Sequence, residues 1–184
     1  FFMSQFLQSL ADNAAFLLAC LAVFAGLILI AWAAERFFLP SHRKLSPART
    51  VSFVAIFAAL GGALMFFEIP LFFAPSFYEM DLSELPVLIC TFYLGPVAGV
   101  VCEFLKVVIK LLLKGTSTAF VGDFANFAVG CAMVLPASIL YHLHKSKKMA
   151  LVGLAVGTLV MTVFGSAFNA YFLIPKFADL FHMP

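Results

Sequence analysis

NAAFLLACLAVFAGLILIAWAA, residues Asn13 to Ala34, runs from Asp12 to Glu35-Arg36 without one charged side chain. A bilayer's hydrocarbon core needs about 20 such residues in helical form. Ala31-Trp32-Ala33 loosely resembles a signal-peptide cleavage site, but no basic segment precedes the run and its apolar core is too long. It reads as a retained transmembrane helix with its N-terminus outside. The rest of the chain repeats the character of this stretch. Of 184 residues, 64% are hydrophobic and 11% charged, with mean hydropathy +1.10. A soluble domain carries about 25% charged residues and leaves roughly a third of its unfolded surface wet after folding. Soluble enzymes, nucleic-acid binders and disordered regulators are therefore poor readings, and the net charge of +2 is too small for a nucleic-acid partner. The apolar runs are continuous rather than alternating, so the fold is an all-α integral membrane protein and not a β-barrel.

Outward from the first run comes a basic linker with Arg36, Pro40, Arg43, Lys44, Pro47 and Arg49, then a second span from about Thr50 to Phe67. Residues 68–84 hold Glu68, Glu79, Asp81 and Glu84 but no Lys or Arg. A short apolar helix, Leu85 to Leu94, is broken by Gly95-Pro96. Further helices are predicted over Val97 to Lys114, Asp123 to about His142, and Met149 to about Leu173. Seven of the eleven Lys/Arg residues lie in loops 35–49 and 145–148, which places those loops in the cytoplasm. Loops 68–84 and 115–122 and the chain end then lie outside. The Leu85–Leu94 helix is too short to span, a shape tolerated at membrane depth only where it faces protein or a cavity. Cys20, Cys90, Cys102 and Cys131 sit inside apolar segments without ligand spacing and read as packing residues, with no metal site.

Four features carry chemistry, each with two readings. Glu103, Lys106, Lys110 and Lys114 share a helix face. They form either an internal Glu103–Lys106 pair with two interfacial lysines, or an electropositive wall beside a ligand or helix. The hydroxyl-rich loop Gly115 to Gly122 opens a helix, with Asp123 either its N-cap or part of a polar binding loop. Asn126 and Asn169 either pin helices or recognise an amide or heterocycle edge. Ala55, Ala58, Ala59, Gly61, Gly62 and Ala63 either pack within the chain or dock a separate membrane subunit. No catalytic triad, Walker A loop or metal motif appears, so no catalytic residue and no cofactor are assigned.

Tyr78-x-Met80-Asp81-Leu82-Ser83-Glu84-Leu85-Pro86 and Leu94-Gly95-Pro96-Val97-Ala98-Gly99 resemble the first extracellular loop and following turn of S components of energy-coupling factor (ECF) vitamin transporters. Lys110-x-x-x-Lys114-Gly115-Thr116-x-Thr118-x-x-Val121-Gly122-Asp123-x-Ala125-Asn126-Phe127, Gly157-Thr158-x-x-Met161-Thr162 and Asn169-x-Tyr171-Phe172-x-x-Pro175 are similar to the riboflavin-binding branch. The likeness covers about residues 50–177. It implies a six-helix fold that captures riboflavin, with FMN a related candidate, near the extracellular face. Tyr78 and Met80 would contact the flavin from a lid, Thr118 and Val121 from the loop before the fourth family helix, and Asn169 from the fifth. Asn126 joins them by proximity. Ala55, Ala59 and Ala63 would dock the transmembrane T subunit, which couples to two ATPase subunits. The family's sixth helix, which carries an Asn and a Lys of the flavin site, has no counterpart before Pro184, and the helix in residues 1–38 is extra to the family. The expected organisation is therefore that helix, a basic cytoplasmic linker over 39–49, and a substrate-binding domain over 50–184 that stops short of the sixth helix.

The expected location is the bacterial plasma membrane, crossed several times. Other readings are an S component for another vitamin, an integral-membrane enzyme, or a channel or structural bundle. The topology is tested by single cysteines introduced at Ser76 and Ser146. An impermeant thiol label applied from outside is expected to reach the first and not the second; equal labelling from one side would contradict the threading.

Overall fold

The computed structural model describes residues 14–38, 46–67, 69–70, 79–80, 82–115 and 120–175. Six α-helices carry the chain: α1 (Ala14–Phe38), α2 (Pro47–Leu64), α3 (Glu84–Leu94), α4 (Pro96–Lys114), α5 (Val121–Leu143) and α6 (Lys147–Phe168). A π-helical turn, Asn169–Leu173, extends α6. Between α2 and α3, β1 (Ile69–Pro70) pairs antiparallel with β2 (Glu79–Met80), Ile69 opposite Met80. That pairing is a small departure from the all-helical expectation, confined to the acidic outer loop.

Among the described residues, four segments are long and apolar enough to cross a membrane: Leu18–Phe38, Pro47–Leu64, Val121–Leu143 and Lys147–Leu173. Their outer faces carry large exposed apolar side chains, such as Leu29, Ile56, Leu159 and Val163, as lipid solvent requires. α4 is as long as α2 but carries Glu103, Lys106, Lys110 and Lys114. At 1.5 Å per residue its 19 residues rise about 28 Å, whereas the 11 of α3 rise only about 16 Å. Both start from the same turn, so α3 stops well short of the outer end of α4.

The helix ends follow local chemistry. Gly95 takes φ 111° where α3 meets α4, a conformation L side chains rarely adopt, and Pro96 supplies the first residue of α4 with its fixed φ. Ser146 begins α6 by accepting a hydrogen bond from the Met149 N–H at 3.2 Å. The predicted helix boundaries move by a few residues. α1 runs on through Glu35 and Arg36 to Phe38, where Glu35 accepts from the Val97 N–H at 3.1 Å and Arg36 lies over the Trp32 ring. α2 ends at Leu64, and a turn covers 65–67. The last span leaves α-geometry at Asn169.

Glycines set how the helices cross. A Cβ at Gly153 would lie 2.8 Å from the Ala137 carbonyl oxygen, and one at Gly157 2.6 Å from that of Met133. α5 and α6 therefore touch backbone to backbone along their inner halves, the close approach that dispersion-driven packing in lipid exploits. Gly62 of α2 makes room for a side chain of α4, where a Cβ would meet the Ile109 Cγ2 methyl at 2.7 Å. Val54, Ala58, Val87, Cys90, Ala98, Cys102, Val134 and Ala137 complete this central core from α2 to α5. A second cluster, with Ala31, Val100, Val107, Phe127 and Cys131, ties α1 to α4 and α5, and Phe24 stacks on Phe104 at 4.0 Å. Cys90, Cys102 and Cys131 are buried free thiols and Cys20 is partly exposed, in keeping with packing roles.

Replacing Gly157 by Leu is expected to force α5 and α6 apart and destabilise the protein by about 1–3 kcal/mol or more, the range for overpacked sites. Thermal unfolding in detergent measures it, and an unchanged midpoint would mean that the crossing is looser than described.

Candidate functional site

The step between α3 and α4 organises the outer half of the bundle. Glu84, the first residue of α3, and Lys106 on α4 both lie about 15 Å from the Gly95 turn, near the middle of α4. They meet there: the Lys106 ammonium donates to Glu84 Oε1 at 2.7 Å. Glu103 Oε1 lies 2.7 Å from the same nitrogen, a second ion pair. Lys106 and Glu103 are fully buried, and the Glu84 side chain keeps 25% of its surface. The Glu103–Lys106 pair expected from the sequence is present. Glu84, twenty-two positions before Lys106, was not expected to join it, since nothing in local spacing links them. Gly130 on α5 makes room, because a Cβ there would collide with the Glu103 carboxylate and lie 3.0 Å from Glu84 Oε1.

One turn outward of Lys106, Lys110 pairs with Asp123 at 2.5 Å, with Asp123 only 3% exposed, so the reading of Lys110 as a simple interfacial lysine does not hold. The N-cap expectation for Asp123 is therefore corrected. α5 starts earlier, at Val121, after Phe120 in the left-handed region at φ 67°, and Asp123 sits inside the first turn. A carboxylate there favours the helix N-terminus while neutralising Lys110.

Beyond these pairs the sequence-derived ligand residues can be placed. Val121 is buried in an outer cluster with Ala125 and Leu173, bordered by Phe168 and Phe172. Asn126 and Asn169 are half-buried. Gly165 of α6 faces Val129 of α5, with 3.6 Å from an added Cβ to a Val129 methyl. Asn126 is three residues outward of Val129 and Asn169 four residues outward of Gly165, spacings that keep each on the face of its reference residue. Both asparagines thus lie on the α5–α6 contact side of their helices, a turn outward of Gly165 and Val129. Asn126 Oδ1 is buried and accepts no hydrogen bond among the described residues, although a buried amide oxygen normally finds a donor. Met80 lies in β2, and its backbone pairs with Ile69. Tyr78 and Thr118 lie outside the described residues.

The other edge of the α5–α6 contact is aromatic. Phe124 packs on Phe168 and Phe172, and Phe164 stacks on Phe168 at 5.6 Å. Next to it, an open cavity of about 300 Å³ lies between α1, α4 and α5, lined by Leu21, Phe104, Leu111, Phe124 and Phe127. Asn126 is turned about 200° from Phe124 around α5 and faces away from that lining. The cavity wall is apolar apart from Asp123, which Lys110 already holds. It suits hydrocarbon and offers few partners for a polar heterocycle, so the asparagine pair is the better candidate for polar recognition.

The small-residue patch of α2 divides into two faces. Ala58, Gly61 and Gly62 are buried against the rest of the chain, whereas Ala55, Ala59 and Ala63 are exposed. Internal packing and an outward small-residue stripe, posed as alternatives in the sequence, are both present on opposite sides of one helix.

The bundle joins membrane-length apolar helices to a short one and holds a buried Asn126 amide oxygen that accepts no hydrogen bond among the described residues, features in keeping with a membrane-embedded binding subunit. The sequence model of the family described as "ECF transporter, substrate-specific component" matches residues 49–184, and the chain belongs to that family. Membership sets aside the enzyme and channel readings. The chain is 32% identical over 144 residues to the "Riboflavin transporter RibU" of Staphylococcus aureus (strain TCH60), covering 77% of this chain and 75% of that protein. It is 30% identical over 132 residues to the "Riboflavin transporter FmnP" of Bacillus subtilis (strain 168), covering 71% and 70%. A solved structure titled "Structure and mechanism of the S component of a bacterial ECF transporter" superposes with TM-score 0.65 at 31% identity, over 71% of this chain and 77% of the other.

Proposed function

We propose that this chain is the subunit that captures riboflavin at the outer face of a multi-pass cell-membrane importer, with FMN as a second, weaker candidate ligand. The observation that carries the reading is the Asn126 amide oxygen, buried without a donor among the described residues on the side of α5 that meets α6. Riboflavin has a flat apolar ring system, a uracil-like edge with donor and acceptor atoms, and a hydroxylated chain. Asparagine amides present both kinds of partner, and an unmatched acceptor becomes satisfied when a donor arrives. Val121, with Tyr78 and Met80 from the outer loop, would cover the ring, at about 25 cal/mol per Å² of apolar surface removed from water. Thr118 would add a hydroxyl. The likeness to curated riboflavin transporters over about three quarters of the chain supports the same ligand.

Nothing in this site performs chemistry on the ligand. Uptake against a gradient therefore takes its energy from elsewhere: a transmembrane T subunit and two ATPase subunits, as the family description implies. The exposed Ala55, Ala59 and Ala63 stripe on α2 would seat the T subunit, since small residues admit a facing helix to van der Waals distance. α1 is an addition to the binding domain, held by the Phe24–Phe104 stack and the Ala31 cluster.

Two measurements test the reading. Asn169→Ala is expected to weaken riboflavin binding by about 1–3 kcal/mol while leaving the melting temperature in detergent nearly unchanged, the cost of an unpaired polar edge. Equal affinity for both proteins would remove Asn169 from the site. Ala59→Leu is expected to keep riboflavin binding and abolish co-purification of the T subunit, because a branched side chain holds the backbones apart. Normal co-purification would place docking on another surface.

A further inference from the structure

The cavity between α1, α4 and α5 runs along the helices rather than across them. On α4 its wall is Phe104, Val107, Val108, Leu111 and Leu112, spacings of three and four residues that keep one helix face over a rise of about 12 Å. Phe24 of α1 stacks on Phe104 and meets Phe127 of α5 edge-on, which closes the deep end. One turn outward on α1, Cys20 and Leu21 form the facing wall of the open volume of about 300 Å³.

The outer end differs from this floor. Asp123 lines the cavity in the first turn of α5 and is 3% exposed. Its Oδ1 accepts from Lys110, but Oδ2 is buried and accepts no hydrogen bond among the described residues. A carboxylate can only accept, and a buried one normally finds donors for its oxygens. Lys114 lies three residues beyond Leu111 and seven beyond Val107, so it continues the cavity face at the exposed rim. From mid-bundle outward the cavity thus passes from aromatic rings to an unmatched acceptor and then to a cation. A phospholipid has the same order of polarity along its length.

We propose that this cavity binds one anionic glycerophospholipid whose head carries hydroxyls. An acyl chain lies between α1 and the α4 wall, a head hydroxyl donates to Asp123 Oδ2, and the phosphate sits against Lys114. A lipid with a cationic head group fits less well, because its cation would meet Lys110 and Lys114 beside a carboxylate that Lys110 already neutralises. A hydroxyl supplies the donor without adding positive charge. The site is independent of riboflavin capture, since Asn126 faces away from the cavity lining.

Native mass spectrometry of the delipidated full chain in detergent tests this, with phosphatidylglycerol, phosphatidylmethanol and phosphatidylcholine of identical acyl chains as probes. The unaltered protein is expected to retain one phosphatidylglycerol per chain, about tenfold or more tighter than phosphatidylcholine, the scale of one hydrogen bond to a charged group. Phosphatidylmethanol keeps the phosphate without the hydroxyls and is expected to bind about threefold or more weaker than phosphatidylglycerol. Val108→Trp fills the middle of the wall and is expected to abolish retention, whereas Val163→Trp, on the exposed face of α6, is expected to preserve it. Lys114→Gln is expected to bring phosphatidylglycerol and phosphatidylcholine to within about threefold of each other. Should Val108→Trp fail to fold, Leu112→Trp at the exposed mouth decides the same point. Undiminished retention in Val108→Trp or Leu112→Trp overturns the proposal. So does phosphatidylmethanol or phosphatidylcholine binding as tightly as phosphatidylglycerol, or an unchanged preference in Lys114→Gln. A dimer of the unaltered protein that Val108→Trp dissolves would give the cavity to a second copy of the chain and overturn the proposal as well.

Discussion

The ammonium of Lys106, sealed from solvent at mid-bundle and held between Glu84 and Glu103, constrains the outer half of this protein. Removing one partner of a buried pair typically costs about 3–5 kcal/mol, because the survivor is left uncompensated in a medium that cannot solvate it. The start of α3 is thereby fixed at the level of Lys106, about 12 Å below the outer end of α4. The 11 residues of α3 are too few to cross the hydrocarbon core alone, and such a short helix is tolerated at membrane depth where it packs on protein, as α3 does against α4.

Glycine positions then decide which faces remain for function. Gly153 and Gly157 lock the inner halves of α5 and α6 together, while the outer halves meet through side chains, aromatic at Phe124 and amide-bearing at Asn126 and Asn169. Gly61 and Gly62 sink the inner face of α2 into α4, which leaves Ala55, Ala59 and Ala63 outward. The same residue class thus builds the interior and exposes a stripe of small side chains to the membrane.

Most of the helical plan was legible because lipid leaves a strong one-dimensional signal. Uninterrupted apolar runs gave the spans, Gly95-Pro96 gave the break, and the Lys/Arg clusters gave a threading. The i,i+3 spacing of Glu103 and Lys106 likewise announced their pairing. What was missed depends on contacts between distant segments. Glu84 reaches Lys106 only because α3 folds back along α4, and Asp123 is drawn from capping to charge pairing by Lys110, thirteen positions away. The π-helical turn at Asn169 and the left-handed Phe120 carry no motif of their own. In the site, Asn126 was added by proximity alone, and the outward crossing of α5 and α6 is what aligns it with Asn169.

The central claim is that the Asn126 and Asn169 side chains serve a flavin-capturing membrane subunit. Its most direct test is the visible absorption spectrum of the protein purified from riboflavin-fed cells and washed free of unbound ligand. The account predicts a flavin band at close to one flavin per chain, lost on denaturation. A colourless protein that also shows no thermal stabilisation when riboflavin is added back would contradict it.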